Sequence, residues 1–202
     1  MPAAIIVLIF NSVATSSWAN EIYINQVGDL FDGTITQDGQ DNKIVSLNTN
    51  SGNAVVGGNN KTFTVTQQGD NNRVGFWTHG GNQVISVTQD GDSNVSAVDN
   101  HGNNNDITVD IEGDNNVTHT EIGNGGDEFN DMSVTIRGDS NNAYVEVLNG
   151  DSNNIDAQIQ GQDSNTLRIT VNGNNNDIKG WQGKHEDGNV DADETGDNDL
   201  YW

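Results

Sequence analysis

Cysteine is absent from this 202-residue chain, which excludes a disulfide framework and any thiolate-held metal centre. Basic residues are scarce: 7 Lys and Arg stand against 30 Asp and Glu, for a formal net charge of −23. That balance argues against nucleic acid and anionic membrane surfaces as natural partners. Apolar residues are only 32% of the chain, a composition close to that of disordered chains, which bury too little apolar surface to offset ordering entropy. No apolar run is long enough to span a bilayer. Periodicity is what argues against disorder, because disordered chains do not hold alternating apolar positions at a fixed spacing.

The period is plainest in Thr62–Val98, where one unit occurs twice. An alternating run ends in Gln (TFTVTQ, then QVISVTQ), a Gly-Asp turn follows (QGDNN, then DGDSN), and a second run comes next (RVGFWT, then VSAV). Gln67 and Gln89 are 22 residues apart, as are Asn72 and Asn94. Similar runs recur at intervals of about eleven residues from Ile22 to Trp181, separated by turns such as GQDN, GDNN, GDSNN and GNNN. Gly supplies positive φ in such turns, and Asn and Asp tolerate the left-handed region. The period of two and the frequent Gly-Asx turns exclude helices.

Alternate residues of each run face a narrow core. The expected core is Phe63 and Val65, Ile85 and Val87, Ile107 and Val109, Met132 and Val134, Val145 and Val147, and Leu167 and Ile169. Two packings accommodate these strands: antiparallel hairpins in a sandwich or barrel, or a coil of two-strand turns stacked in parallel. Identity at 22–23 residues favours the coil, because parallel stacking sets like side chains about 4.8 Å apart and lets amides bond in ladders. The expectation is an all-β, two-sheet parallel β-solenoid of strand-turn-strand-turn units. Its inward amides are expected at Gln37, Asn42, Gln67, Asn72, Gln89, Asn94, Asn116, Asn142, Asn154, Gln160 and Asn165. Glu112 and Arg137 are read as replacing the unit's Gln in two places, and the turn acids Asp70 and Asp92 as outward charges that restrain stacking between chains.

The pattern Gln-x-Gly-x-x-Asn-x-Ala/Val-x-Val resembles the curlin repeat of bacterial curli subunits. It is carried by Gln37-Asp38-Gly39-Gln40-Asp41-Asn42, Gln67-Gln68-Gly69-Asp70-Asn71-Asn72 and Gln89-Asp90-Gly91-Asp92-Ser93-Asn94, with a displaced match at Gln160–Asn165. The resemblance implies a functional amyloid: a secreted, non-enzymatic pilus-like subunit without cofactor. Such a subunit polymerises with itself into extracellular cell-surface fibres for adhesion and biofilm matrix. Its implied partners are curli-type secretion and nucleation proteins and host or abiotic surfaces. The chain has more units than that family's usual five and is more acidic.

The organisation expected is a signal peptide over 1–19, curlin-like repeats over 20–181, and an acidic tail or degenerate repeat over 182–202. Ala3–Phe10 supplies the apolar segment of the leader and Ser17-Trp18-Ala19 its cleavage site, although no Lys or Arg precedes them. A buried apolar strand is the alternative for that segment. Thr49–Lys61 and Gly123–Asn130 interrupt the period as surface loops or ill-fitting turns.

No catalytic constellation or phosphate loop emerges. His79, His101, His119 and His185 lack metal-ligand spacing and read as solitary surface residues. A calcium-binding β-roll is a rival, since the turns are rich in oxygen ligands, but its nonapeptide period and fixed Asp are not matched. A viral or adhesin β-solenoid fibre segment and an ice-binding solenoid are further alternatives. Asn60-Lys61-Thr62, Asn94-Val95-Ser96 and Asn116-Val117-Thr118 match glycosylation sequons, as expected by chance in such a composition. Phe31, Phe76, Trp77, Tyr144, Trp181 and Tyr201 could stack on ligands, but core filling and strand propensity explain most of them.

Overall fold

The computed structural model describes residues 4–9, 21–22, 24–26, 28–45, 54–101, 104–123, 130–148, 152–161, 164–182, 190–195 and 199–201. These residues contain strands and no helix, and the strands form two parallel sheets. One sheet is ordered β1 (Ala4–Ile9), β3 (Phe31–Thr36), β5 (Lys61–Gln68), β7 (Gln83–Asp90), β9 (Asp106–Ile111), β11 (Asp131–Ile136), β13 (Asn154–Ile159), β15 (Asp177–Gln182) and β17 (Asp199–Tyr201). The other runs β2 (Asn25–Gln26), β4 (Val55–Gly57), β6 (Phe76–His79), β8 (Val98–His101), β10 (Thr118–Ile122), β12 (Ala143–Leu148), β14 (Leu167–Asn172) and β16 (Val190–Thr195). Odd strands stack on odd and even on even, so the chain crosses between the sheets at every turn. This is the β-solenoid the repeat spacing predicts.

The alternation of the sequence becomes the alternation of burial. In β5 and β7, Phe63 lies over Ile85 and Val65 over Val87, with Thr64 over Ser86 on the outer side. Met132, stacked on Ile107 and Ile155, continues the first inward column. Every core residue expected from the sequence is buried. The even sheet supplies a matching interior through Phe76, Val98, Thr120, Val145 and Ile169. Phe63 meets Phe76 across the two layers, ring centroids 5.2 Å apart and nearly perpendicular, the edge-to-face geometry aromatic pairs favour.

Register is kept where the sequence period is not. Ladder partners are separated by 30 residues between the first two described units, 22 in the next two steps and 25 around residues 116–141. The extra chain falls in the two irregular stretches, Thr49–Lys61 and Gly123–Asn130, whose residues 49–53 and 124–129 lie outside the described set. At one corner Gly58 and Gly80 stack on the glycine of the preceding turn at φ +101° and +108°. A Cβ at either would meet the carbonyl oxygen of that glycine at 2.1 Å, so both φ and contact demand glycine.

The segment expected to be a leader includes β1, whose backbone pairs in parallel with β3, Ala4 opposite Phe31 and Ile9 opposite Thr36. The rest of 1–19 lies outside the described residues. In the tail, β16 pairs with β14 and β17 with β15.

Candidate functional site: amide ladders and a histidine–carboxylate face

Three columns of buried amides run along the solenoid, at the corners where the chain changes sheet. In the first, Gln37 Nε2 donates to Gln67 Oε1 and Gln67 Nε2 to Gln89 Oε1, each at 2.8 Å. Gln67 uses its whole amide: Nε2 also donates to the Arg73 carbonyl at 3.2 Å, and Oε1 also accepts the Lys43 N–H at 3.3 Å. The side chain thus fastens its own turn and joins it to both neighbours, which is why it can be wholly buried.

The second column is Asn42, Asn72, Asn94, Asn116, Asn141 and Asn165, and from Asn72 onward each Nδ2 donates to the Oδ1 one turn earlier. Asn72 Nδ2 also donates to the Gln68 carbonyl at 3.2 Å, which fixes the amide's orientation. This column donates toward the start of the chain, whereas the Gln column donates toward its end.

Sequence reasoning missed the third column: Asn105, Asn130, Asn153 and Asn176, just ahead of β9, β11, β13 and β15. Asn130 Oδ1 accepts both the Asn105 N–H at 2.8 Å and Asn105 Nδ2 at 3.1 Å, and the pattern repeats to Asn176. The signal was the Asn that precedes DIT, DMS and DIK. Gln83 takes the same place one turn earlier, its N–H donating to Asn105 Oδ1. Lys61, in register with Gln83, takes it one turn before that. Lys61 is 2% exposed, and Nζ has no hydrogen-bond partner among the described residues. Burial pulls the ammonium down to a pKa of about 8, with Asp29 opposing.

Three expected ladder residues are placed elsewhere. Asn142 is half-buried beside the true rung Asn141, Asn154 is exposed beside the true rung Asn153, and Gln160 is exposed beside the buried Ile159. One register error explains the first and last. Thr88 pairs with Asp110, so Gln89 is followed in the stack by Ile111, then Ile136 and Ile159, and not by Glu112, Arg137 and Gln160. Those three continue the exposed column of Gln68 and Asp90. The Gln ladder therefore gives way to isoleucines, and Gln89 Nε2 is left buried without a partner. Asn154 instead donates outward to Asp131 Oδ1 at 3.1 Å.

The turn acids are also reassigned. Asp92 Oδ1 accepts the Asp70 N–H at 2.7 Å, Asp114 that of Asp92 at 2.8 Å, and Asp139 that of Asp114 at 2.8 Å. These aspartates hold a fixed place in the turn and bind one turn to the next, rather than acting only as outward repelling charges.

The outer face of the even sheet gathers groups that are far apart in sequence. Asp99, Glu121 and Glu146 stack on successive strands, with Trp77 ahead of them. His101 Nε2 lies 2.9 Å from Asp99 Oδ1, and His119 Nε2 lies 3.3 Å from Glu146 Oε2 and 4.0 Å from Glu121 Oε2. The ligand atoms of Asp99, His101 and Glu121 all lie within 4.8 Å of one another, as do those of His119, Glu121 and Glu146. Burial pushes the Asp99 carboxyl up, with His101 opposing; burial and then Asp99 push Glu121 up. His101 and His119 are thus not solitary; stacking brings together what spacing in the sequence does not. His185 lies outside the described residues.

Of the aromatic residues singled out, Phe31 and Phe76 are core. Trp77 and Tyr144 lie on the outer face, Trp77 stacked on His79 with centroids 4.9 Å apart, and Trp181 is exposed. The side chain of Tyr201 lies outside the described set.

No protein-family model, curated protein or solved structure matches this chain.

Proposed function

We propose that the chain is a structural subunit that polymerises head to tail into extracellular, amyloid-like fibres of the curli kind, for adhesion and biofilm matrix. The observation that carries this reading is the continuity of the stack. Parallel backbone pairing, the Gln and Asn ladders and the apolar columns all repeat along one axis. A second copy at either end would continue the parallel backbone pairing of both sheets along that axis.

The outermost strands are β1 and β17 in one sheet and β2 and β16 in the other. Their outer edges pair with no further strand among the described residues, so a neighbouring copy has backbone donors and acceptors to meet. The engagement of Asp92, Asp114 and Asp139 with backbone N–H groups favours this reading over a calcium β-roll, because one oxygen of each carboxylate already serves the stack.

The test is assembly of the secreted chain in chelator, followed by thioflavin fluorescence, microscopy and fibre diffraction. Fibres with a reflection near 4.8 Å are expected. A chain that folds without metal and stays monomeric at every concentration overturns the proposal, and folding only on calcium addition replaces it with the β-roll.

A further inference from the structure

We propose that the outer face of the even sheet binds two divalent transition cations of the zinc class. Asp99, His101 and Glu121 hold one; His119, Glu121 and Glu146 hold the other; Glu121 bridges the two. Both donor sets are preassembled to within 4.8 Å. A tetrahedral zinc with bonds of about 2.0–2.2 Å needs its donors only roughly 1 Å closer, with water in the fourth position. Glu121 has two oxygens to share: Oε2 lies 4.0 Å from His119 Nε2, and Oε1 and His101 Nε2 border the same space beside Gly123.

A second observation points to the same place. Gly123 follows His101 in the stack, and a Cβ there would sit 3.0 Å from His101 Nε2 and 3.1 Å from Glu121 Oε1. Glycine keeps open the space between these two donors. Charge supplies the drive: parallel stacking sets Asp99, Glu121 and Glu146 in a row about 4.8 Å apart, a repulsion that a bound dication reverses. One imidazole per site selects zinc or copper over calcium and magnesium, which take oxygen donors. Binding here does not depend on polymerisation.

The test is calorimetric titration of the full chain with zinc, in excess magnesium to occupy diffuse anionic sites. Two zincs per chain are expected. His101→Asn and His119→Asn should each remove one, Glu121→Gln should weaken both at least tenfold or so, and His79→Asn and Glu112→Gln should leave both. Circular dichroism checks that each variant keeps its β-sheet. In the unaltered chain, copper should show one imidazole nitrogen per ion by electron paramagnetic resonance, a readout independent of variant folding. Zinc uptake abolished by magnesium, a stoichiometry below two, or full binding in Glu121→Gln overturns the proposal.

Discussion

Asn94 Nδ2 donates to Asn72 Oδ1 at 2.8 Å, while Asn116 Nδ2 donates to Asn94 Oδ1 at the same distance. One side chain thus holds two interfaces between turns. Asn94→Ala leaves a buried acceptor on Asn72 and a buried donor on Asn116, and should destabilise the chain by about 2–4 kcal/mol. Ser133→Ala, on the outer side of β11, should change stability by less than about 0.5 kcal/mol. Chemical denaturation of both variants measures the difference, and equal losses would count against the ladder.

Thr120 stands between Val98 and Val145 in the even-sheet core, and its hydroxyl is buried without a partner. Valine has nearly the same shape and already occupies both neighbouring rungs. Thr120→Val should therefore stabilise the fold by about 1–2 kcal/mol, read as a higher denaturation midpoint at unchanged slope.

Asp70, Asp92, Asp114 and Asp139 have φ between 72° and 77°. Asparagine tolerates that conformation and offers the same acceptor oxygen; alanine does neither. Replacing all four with Asn should preserve stability and flatten the salt dependence of assembly, because charges about 4.8 Å apart are within the ~8 Å Debye length. The corresponding Ala variant should lose about 1 kcal/mol per site. Comparable loss in the two variants would remove the hydrogen-bonding role assigned to Asp92, Asp114 and Asp139.

Lys61 sets a pH dependence with a defined sign. Its pKa falls from 10.5 to about 8 in the folded chain, so the unfolded chain binds the proton more tightly. The penalty of burying the charge is fully present below pH 8. Stability should rise as pH climbs from about 8 toward 10.5. Lys61→Met should be more stable than the parent at neutral pH and should lose this rise, as thermal denaturation across that window would show.

The fold was legible because its period is carried by residues with only one good environment. Phe63, Ile85 and Val109 could face only inward, and Gly-Asp turns could only reverse the chain. The register was less legible. An exposed Arg137 was read in line with buried Gln89 because both precede Gly-Asp turns, the one directly and the other through Asp90; the true equivalent, Ile136, carries no amide to reveal it. Where two asparagines adjoin, as at Asn141-Asn142 and Asn153-Asn154, composition cannot say which faces in; the pleat decides. The histidine–carboxylate face was hidden for another reason. His101 and His119 belong to different turns, and only the exact stacking of β8 on β10 brings Asp99 to Glu121.

The unequal ladder spacings of 30, 22 and 25 residues carry a consequence for how such a chain can change. Each rung is located by the rung beneath it, not by the length of chain that leads to it. The corners can therefore host new sequence as appendages, while the columns stay in step. Diversity of surface and constancy of axis are separately heritable in this molecule.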